Sequence, residues 1–201
     1  WIAAALDKPA NRAAVMGTLG NGFPGALEAS ANTTPDAATL QATLAELRDA
    51  GAASVTMEVS SHGLDQGRVN GVAFDVALFT NLTRDHLDYH GTMAAYGSAK
   101  ARLFAWRGLH VSVINIDDAF GQRLADDVRS RGARVLTYGR AAGDVRATSV
   151  TINTRGIALD VETPWGRGST QAPVIGEFNV HNLLCTLGEL LASDMSLSDV
   201  L

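Results

Sequence analysis

The chain has 201 residues and 21.1 kDa, of which 46% are hydrophobic and 18% charged, a composition that excludes a disordered or collagen-like polypeptide. Lysine plus arginine is 16 against 21 acids, so the formal charge is −5, and the absence of any basic block argues against a nucleic-acid module. A single cysteine, Cys185, excludes a disulfide framework and fits a reducing, cytoplasmic setting, and no apolar run reaches the ~20 residues of a spanning helix.

Trp1-Ile2-Ala3-Ala4-Ala5-Leu6 reads as the tail of a helix, with no charged segment ahead of it such as a secretory leader has. With the equally abrupt end at Leu201, the expectation is a piece of a longer enzyme. The apolar run Ala13-Ala14-Val15-Met16-Gly17-Thr18-Leu19 predicts a strand, and Gly20-Asn21-Gly22-Phe23-Pro24-Gly25 a glycine-rich loop. Leu40, Leu44 and Leu47 predict a helix over 38–50, introduced by Thr34-Pro35-Asp36 and closed by Gly51. Strands follow at 54–61 and 76–82, a helix at 93–106, and a strand at 111–116. Asp117-Asp118 opens a helix with Phe120, Leu124 and Val128 at four-residue spacing, and 135–138 is a further strand.

Strands that are continuous apolar runs, alternating with helices, predict an α/β fold with a mostly parallel sheet flanked by helices over 1–140. Residues 145–175 alternate as in Ile157-Ala158-Leu159-Asp160-Val161, which predicts a small antiparallel subsheet of two or three strands, and 179–192 predicts a last helix.

In an open parallel sheet the ligand sits beyond the carboxyl ends of the strands. Those ends carry Asn32-Thr33-Thr34-Pro35, Ser60-Ser61-His62, Gln66, Arg68 and Asn81 to His90, a rim of polar and ionisable groups. Glu58 stands inside an otherwise apolar strand, where an unpaired carboxylate costs several kcal/mol. Either it faces a cation such as Mg²⁺, or it reaches solvent or an arginine at the strand end. His86 and His90 fit no zinc spacing, Lys100 reads equally well as a solvated helical lysine, and no Gly-x-Ser-x-Gly elbow supports a hydrolase. Asn32-Thr33-Thr34 and Asn179 could each simply cap a helix. No Gly-x-x-x-x-Gly-Lys-[Ser/Thr] occurs.

The rim segments together resemble a family. Glu58-Val59-Ser60-Ser61-His62-Gly63-Leu64 with Gln66 and Arg68 is similar to a signature of the Mur ligases, in the branch that adds the third residue of the peptide. So are Asn32-Thr33-Thr34-Pro35, the segment from Thr80 to Gly91 followed by Ala99-Lys100, Asn115-Ile116-Asp117-Asp118, and Gly176-Glu177-Phe178-Asn179-Val180-His181-Asn182. The blocks run in order over residues 16–191.

The resemblance implies a P-loop-NTPase-like central domain, spread over residues 1–201, of a three-domain ligase of peptidoglycan synthesis. By resemblance, Asn32, Thr33, Thr34, Ser60, Gln66 and Arg68 contact the UDP-N-acetylmuramoyl-L-alanyl-D-glutamate substrate. Glu58 and His86 hold Mg²⁺, Lys100 is carbamylated and joins the metal site, and Asn179, His181 and Asn182 face the ATP nucleotide. The implied reaction phosphorylates the D-glutamyl side-chain carboxylate with ATP. The amine of an incoming amino acid, meso-diaminopimelate or lysine, then displaces phosphate and leaves an amide. The family's phosphate loop, uridine-binding domain and amino-acid domain have no counterpart in these residues, so the isolated 201 residues are expected not to turn over ATP. Alternatives are a folylpolyglutamate synthase or cyanophycin ligase of the same superfamily, which the Ser60-Ser61-His62-Gly63-Leu64 block with Gln66 and Arg68 argues against, a non-catalytic UDP-sugar-binding domain, and an unrelated α/β domain.

Overall fold

The structure, a computed structural model, describes residues 1–201. The chain divides into two compact units, Trp1–Ala73 with His86–Leu103, and Phe74–Asp85 with Phe104–Leu201.

The first unit is built on a four-stranded sheet in the order β3-β2-β1-β4, comprising β1 (Arg12–Gly17), β2 (Gly20–Phe23), β3 (Ala26–Glu28) and β4 (Ala52–Met57). β1 and β4 are parallel, with Val15 opposite Thr56 and Met16 opposite Met57. Ala13, Ala14 and Met16 are buried, as their apolar run predicts, beneath α1 (Ile2–Leu6). The glycine-rich stretch is not the expected loop. It folds back antiparallel on β1 as β2, and β3 pairs on β2 in turn. The reason is steric: Gly20 has φ +124°, and a Cβ there would lie 2.4 Å from the Glu28 carbonyl oxygen. Only glycine admits that approach.

Helix α2 (Ala37–Asp49) starts where the pattern places it, with Leu40 and Leu47 buried. Its cap is Asp36 and not Asn32, Thr33 or Thr34: Asp36 Oδ1 accepts from the amides of Ala38 (3.0 Å) and Thr39 (3.1 Å). These bonds, the Thr39 hydroxyl first among them, hold the Asp36 carboxyl below its ordinary value. Three short or medium helices complete the unit: α3 (Ser61–Asp65), α4 (Leu87–His90) and α5 (Met93–Ala101), the last capped by Thr92. α3 and α4 both pack on α5.

The second unit carries a six-stranded sheet in the order β10-β9-β8-β7-β6-β5. The strands are β5 (Val76–Phe79), β6 (Val111–Asn115), β7 (Val135–Gly139), β8 (Val145–Asn153), β9 (Gly156–Thr163) and β10 (Gly166–Ala172). Strands β5 to β8 are parallel and β8 to β10 antiparallel, so the antiparallel strands expected over 145–175 are present. They continue the parallel sheet through the pairing of Tyr138 and Gly139 with Val145 and Arg146. α6 (Ala119–Ser130) is capped by Asp118, and α7 (Phe178–Ala192) lies on the sheet, followed by α8 (Leu197–Val200). Val113, Tyr138, Ile157, Val161, Leu184 and Leu191 form the centre of the core between α7 and the strands. Each such fully buried aliphatic side chain contributes roughly 1.5–3 kcal/mol.

Candidate active site

Because β1 and β4 are parallel, their carboxyl ends emerge at one edge of the first unit's sheet. There an open cleft of about 460 Å³ is lined by Asn32, Thr33, Thr34, Glu58, Ser60, Arg68, His86 and Lys100, among others. A second cleft shares Asn32 and Arg68 and adds Asp36, Gln66 and Gly67. Every residue predicted to bind the muramoyl substrate or the metal therefore lines one of two clefts that Arg68 borders on both sides.

Glu58 is not inside a strand. β4 ends at Met57, and Glu58 is exposed just past it, still tied to β1 by its amide bond to the Met16 carbonyl (2.9 Å). Its carboxylate thus carries no burial penalty, and the reading of a desolvated charge is corrected. Glu58 Oε2 accepts from the Thr18 amide (3.0 Å) and the Thr18 hydroxyl (2.7 Å), and Thr18 Oγ1 lies 2.8 Å from Thr33 Oγ1. Gly17 allows this: a Cβ there would lie 2.9 Å from Glu58 Cδ.

His86 has left-handed backbone angles, φ 53° and ψ 26°, at the start of α4. A non-glycine residue in that region stores on the order of 1 kcal/mol, and such strain gathers at functional sites. Its ring meets those of His62 (5.0 Å) and Tyr96 (5.6 Å) edge-on. Lys100 is half-buried one turn after Tyr96 on α5, with Nζ 5.1 Å from that ring's centre. His90, stacked on Tyr96, sits 2.9 Å from Ser61 Oγ through Nε2. Burial, then the neighbouring His62, holds its pKa below the ordinary histidine value. No group of three His, Cys, Asp or Glu side chains is close enough to enclose a metal ion. The Glu58 carboxylate is an oxygen donor of the kind Mg²⁺ takes, in a shell otherwise kept by water and phosphate, and His86 lines the same cleft.

Thr34 and Arg68 organise the other side of the cleft. Thr34 is 1% exposed; its hydroxyl donates to the Glu58 carbonyl (3.0 Å) and accepts from the Ser60 amide (2.9 Å). The Ser60 hydroxyl accepts from the Gly63 amide (3.0 Å) as the cap of α3. Arg68 Nη1 donates to the Thr34 carbonyl (2.8 Å), while Nε and Nη2 donate to Gln66 Oε1 at 2.8 and 2.5 Å. A guanidinium fixed this way by three bonds presents its remaining N–H groups in a set direction, which suits a carboxylate or phosphate.

Residues 1–189 match the family described as the Mur ligase middle domain. The chain belongs to the Mur ligase family. It is 52% identical over 199 residues to the UDP-N-acetylmuramoyl-L-alanyl-D-glutamate–2,6-diaminopimelate ligase of Chromobacterium violaceum, covering 99% of this chain and 40% of that protein. Identity to the ligase of the same name in Pseudomonas aeruginosa is 50% over 202 residues, with 100% and 41% covered. A solved structure of a ligase of that name superposes with a TM-score of 0.90 at 36% identity, over 99% of this chain and 41% of that one. The chain therefore spans about 40% of the length of these Mur ligases.

In the second unit of this Mur ligase domain, Asn179, His181 and Asn182 sit together on the first turn of α7. Asn179 does not cap the helix. Its Nδ2 donates to the Ile175 carbonyl (2.8 Å) and its Oδ1 accepts from Asn182 Nδ2 (2.9 Å). His181 Nε2 lies 2.9 Å from Asp117 Oδ2, which also accepts from the Arg140 amide (2.7 Å), and Arg140 pairs with Glu177. Asp117 and Tyr89 fall in segments the sequence singles out, but without a site role of their own; Thr18 and Arg140 are recognisable only through partners distant in the chain.

Proposed function

We propose that the protein carrying this chain is an ATP-dependent amide ligase of peptidoglycan synthesis that adds meso-diaminopimelate to UDP-N-acetylmuramoyl-L-alanyl-D-glutamate. The observation that carries the reading is the gathering of Glu58, His86, Lys100 and Arg68 on one cleft at the strand ends of the first unit. The names of relatives about 50% identical support the choice of amino acid and of muramoyl substrate. No helix is long and apolar enough to cross a membrane, and a cytoplasmic site of action accords with the soluble nucleotide substrates of the proposed reaction.

In this reading Arg68, with Asn32, Thr33, Ser60 and Gln66, binds the muramoyl dipeptide, and Thr34 holds the loop that carries them. Glu58 and His86 would hold Mg²⁺, which would neutralise charge on the transferring phosphoryl group. Lys100 Nζ, as the neutral amine, would add to CO2 and lose a proton, giving a carbamate whose carboxylate lies on the same cleft. Asn179, His181 and Asn182 bind the ATP nucleotide, with Asp117 orienting His181. The D-glutamyl side-chain carboxylate takes the terminal phosphoryl group of ATP. The amine nitrogen of the amino acid then bonds to that acyl carbon, the carbon–oxygen bond to phosphate breaks, and the amine gives up a proton.

The test is phosphate release by the full protein that carries this chain, with UDP-N-acetylmuramoyl-L-alanyl-D-glutamate, ATP and Mg²⁺, comparing meso-diaminopimelate with lysine. Release that needs the muramoyl dipeptide and prefers meso-diaminopimelate supports the proposal. Release with folyl substrates in its place refutes it. A carbamate ¹³C signal from labelled bicarbonate, present in the parent and lost in Lys100→Ala, reads the lysine separately.

A further inference from the structure

We infer that Tyr89 is a positioning residue for the muramoyl substrate, acting through the orientation of the Gln66 amide; the inference rests on the substrate reading above. Tyr89 Oη accepts from Gln66 Nε2 (3.2 Å) and donates to Asp65 Oδ2 (2.9 Å). Asp65 Oδ1 is in turn paired with Arg102 Nη2 (2.9 Å), and Arg102 Nη1 also reaches the Leu64 and Asp65 carbonyls (3.5 and 3.4 Å). At the other end, Gln66 Oε1 accepts both Nε and Nη2 of Arg68. A chain of polar contacts therefore runs from Arg102 on the turn after α5, through Asp65 at the end of α3 and Tyr89 on α4, to the guanidinium that borders both clefts.

The direction of each bond matters. A primary amide has one acceptor and one donor end, and the two ends are nearly isosteric. Arg68 needs the acceptor end. A carboxylate oxygen accepts, so the Tyr89 hydroxyl donates its hydrogen bond to Asp65 and offers a lone pair to Gln66. The lone pair takes the amide's donor end and turns its acceptor end toward Arg68. Without the hydroxyl, Gln66 Nε2 loses its partner, and the flipped amide would present N–H groups to a cation. The Tyr89 ring is held for this task by His62, whose ring centre is 4.1 Å away. Tyr89 touches no predicted metal ligand through this hydroxyl, and its role is separable from the metal.

The experiment is a titration of UDP-N-acetylmuramoyl-L-alanyl-D-glutamate into the parent, Tyr89→Phe, Gln66→Ala and the double variant, without ATP. Tyr89→Phe should weaken binding about fivefold, the effect of one lost neutral hydrogen bond. In the Gln66→Ala background the same change should alter affinity less than about twofold, since the amide to be oriented is gone. Unchanged affinity in Tyr89→Phe, or the same fivefold loss in both backgrounds, overturns the inference while leaving the substrate reading intact. No binding by the parent overturns the substrate reading and the inference with it. A ligand-free check guards against a folding defect: the Arg68 Nε–H resonance should be protected from exchange in the parent and lose that protection in Tyr89→Phe at unchanged melting temperature. Equal protection in both overturns the inference.

Discussion

Replacing Thr34 by valine keeps its shape and deletes its hydroxyl. The hydroxyl donates to the Glu58 carbonyl and accepts from the Ser60 amide, and the side chain is 1% exposed. Two hydrogen bonds at about 1 kcal/mol each, with an added penalty for an amide left unpaired away from water, give a loss of about 2–4 kcal/mol. Thr34→Ser keeps both bonds and removes only the methyl that packs on Gly63, so it should lose under about 1.5 kcal/mol. Urea unfolding gives the global loss, and because the chain has two compact units, native-state hydrogen exchange at the Ser60 amide gives the local one. The Ser60 amide should exchange at least about tenfold faster in Thr34→Val than in Thr34→Ser. If the two variants match the parent within 0.5 kcal/mol, on the order of ordinary surface substitutions, and the Ser60 amide is unaffected, the hydroxyl does not hold this loop and the reasoning fails.

Gly17→Ala forces a Cβ to within 2.9 Å of Glu58 Cδ and should destabilise by about 1–3 kcal/mol. The loss should vanish in a Glu58→Ala background, and an equal loss in both would place the strain elsewhere. Glu189, on α7, is 6% exposed, and its Oε2 is buried without a hydrogen-bond partner while Oε1 accepts from Ser193. Burial raises its carboxyl above the ordinary 4.5, so the folded state binds the proton more tightly than the unfolded one and stability falls as pH rises through that value. Glu189→Gln should therefore be more stable than the parent by about 1–3 kcal/mol at neutral pH, with the gain disappearing in acid; a gain that does not depend on pH would contradict the assignment. The Cys185 thiol is 5% exposed and pushed up to about 11 by burial. Iodoacetamide at mildly alkaline pH should alkylate it at least about a hundredfold more slowly in the native protein than in urea, and comparable rates would show the site to be open.

How much of this was legible differs by element. α2 and α6 announce themselves because their leucines and valines repeat at the helical period and are buried, as Leu40, Leu47, Leu124 and Val128 show. β6 is legible from Val111, Val113 and Ile114, and every residue of it, Ser112 and Asn115 included, is buried. β2 is not: Gly20-Asn21-Gly22-Phe23 has too few side chains to alternate, and its pairing depends on what glycine permits at Gly20. α3 and α4 span only five and four residues, too short for a period; Ser60 caps α3, and both pack on α5. For the candidate site, strand ends pointed to the rim where these side chains gather, and the resemblance supplied the proposed roles. The bonds that orient the rim could not be read, because they join residues far apart in the chain: Thr18 and Glu58 are 40 positions apart, Gln66 and Tyr89 are 23. The strand expected over 54–61 ends at Met57, which leaves Glu58 exposed and favours the reading in which it reaches solvent at the strand end.

The central claim is that the cleft bordered by Arg68 takes the muramoyl dipeptide. Calorimetric titration of UDP-N-acetylmuramoyl-L-alanyl-D-glutamate into the parent and Arg68→Ala tests it most directly. Loss of a charged hydrogen-bond donor should weaken binding about ten- to hundredfold, with the melting temperature of the variant showing it folded. Equal affinity in the two proteins would contradict the account.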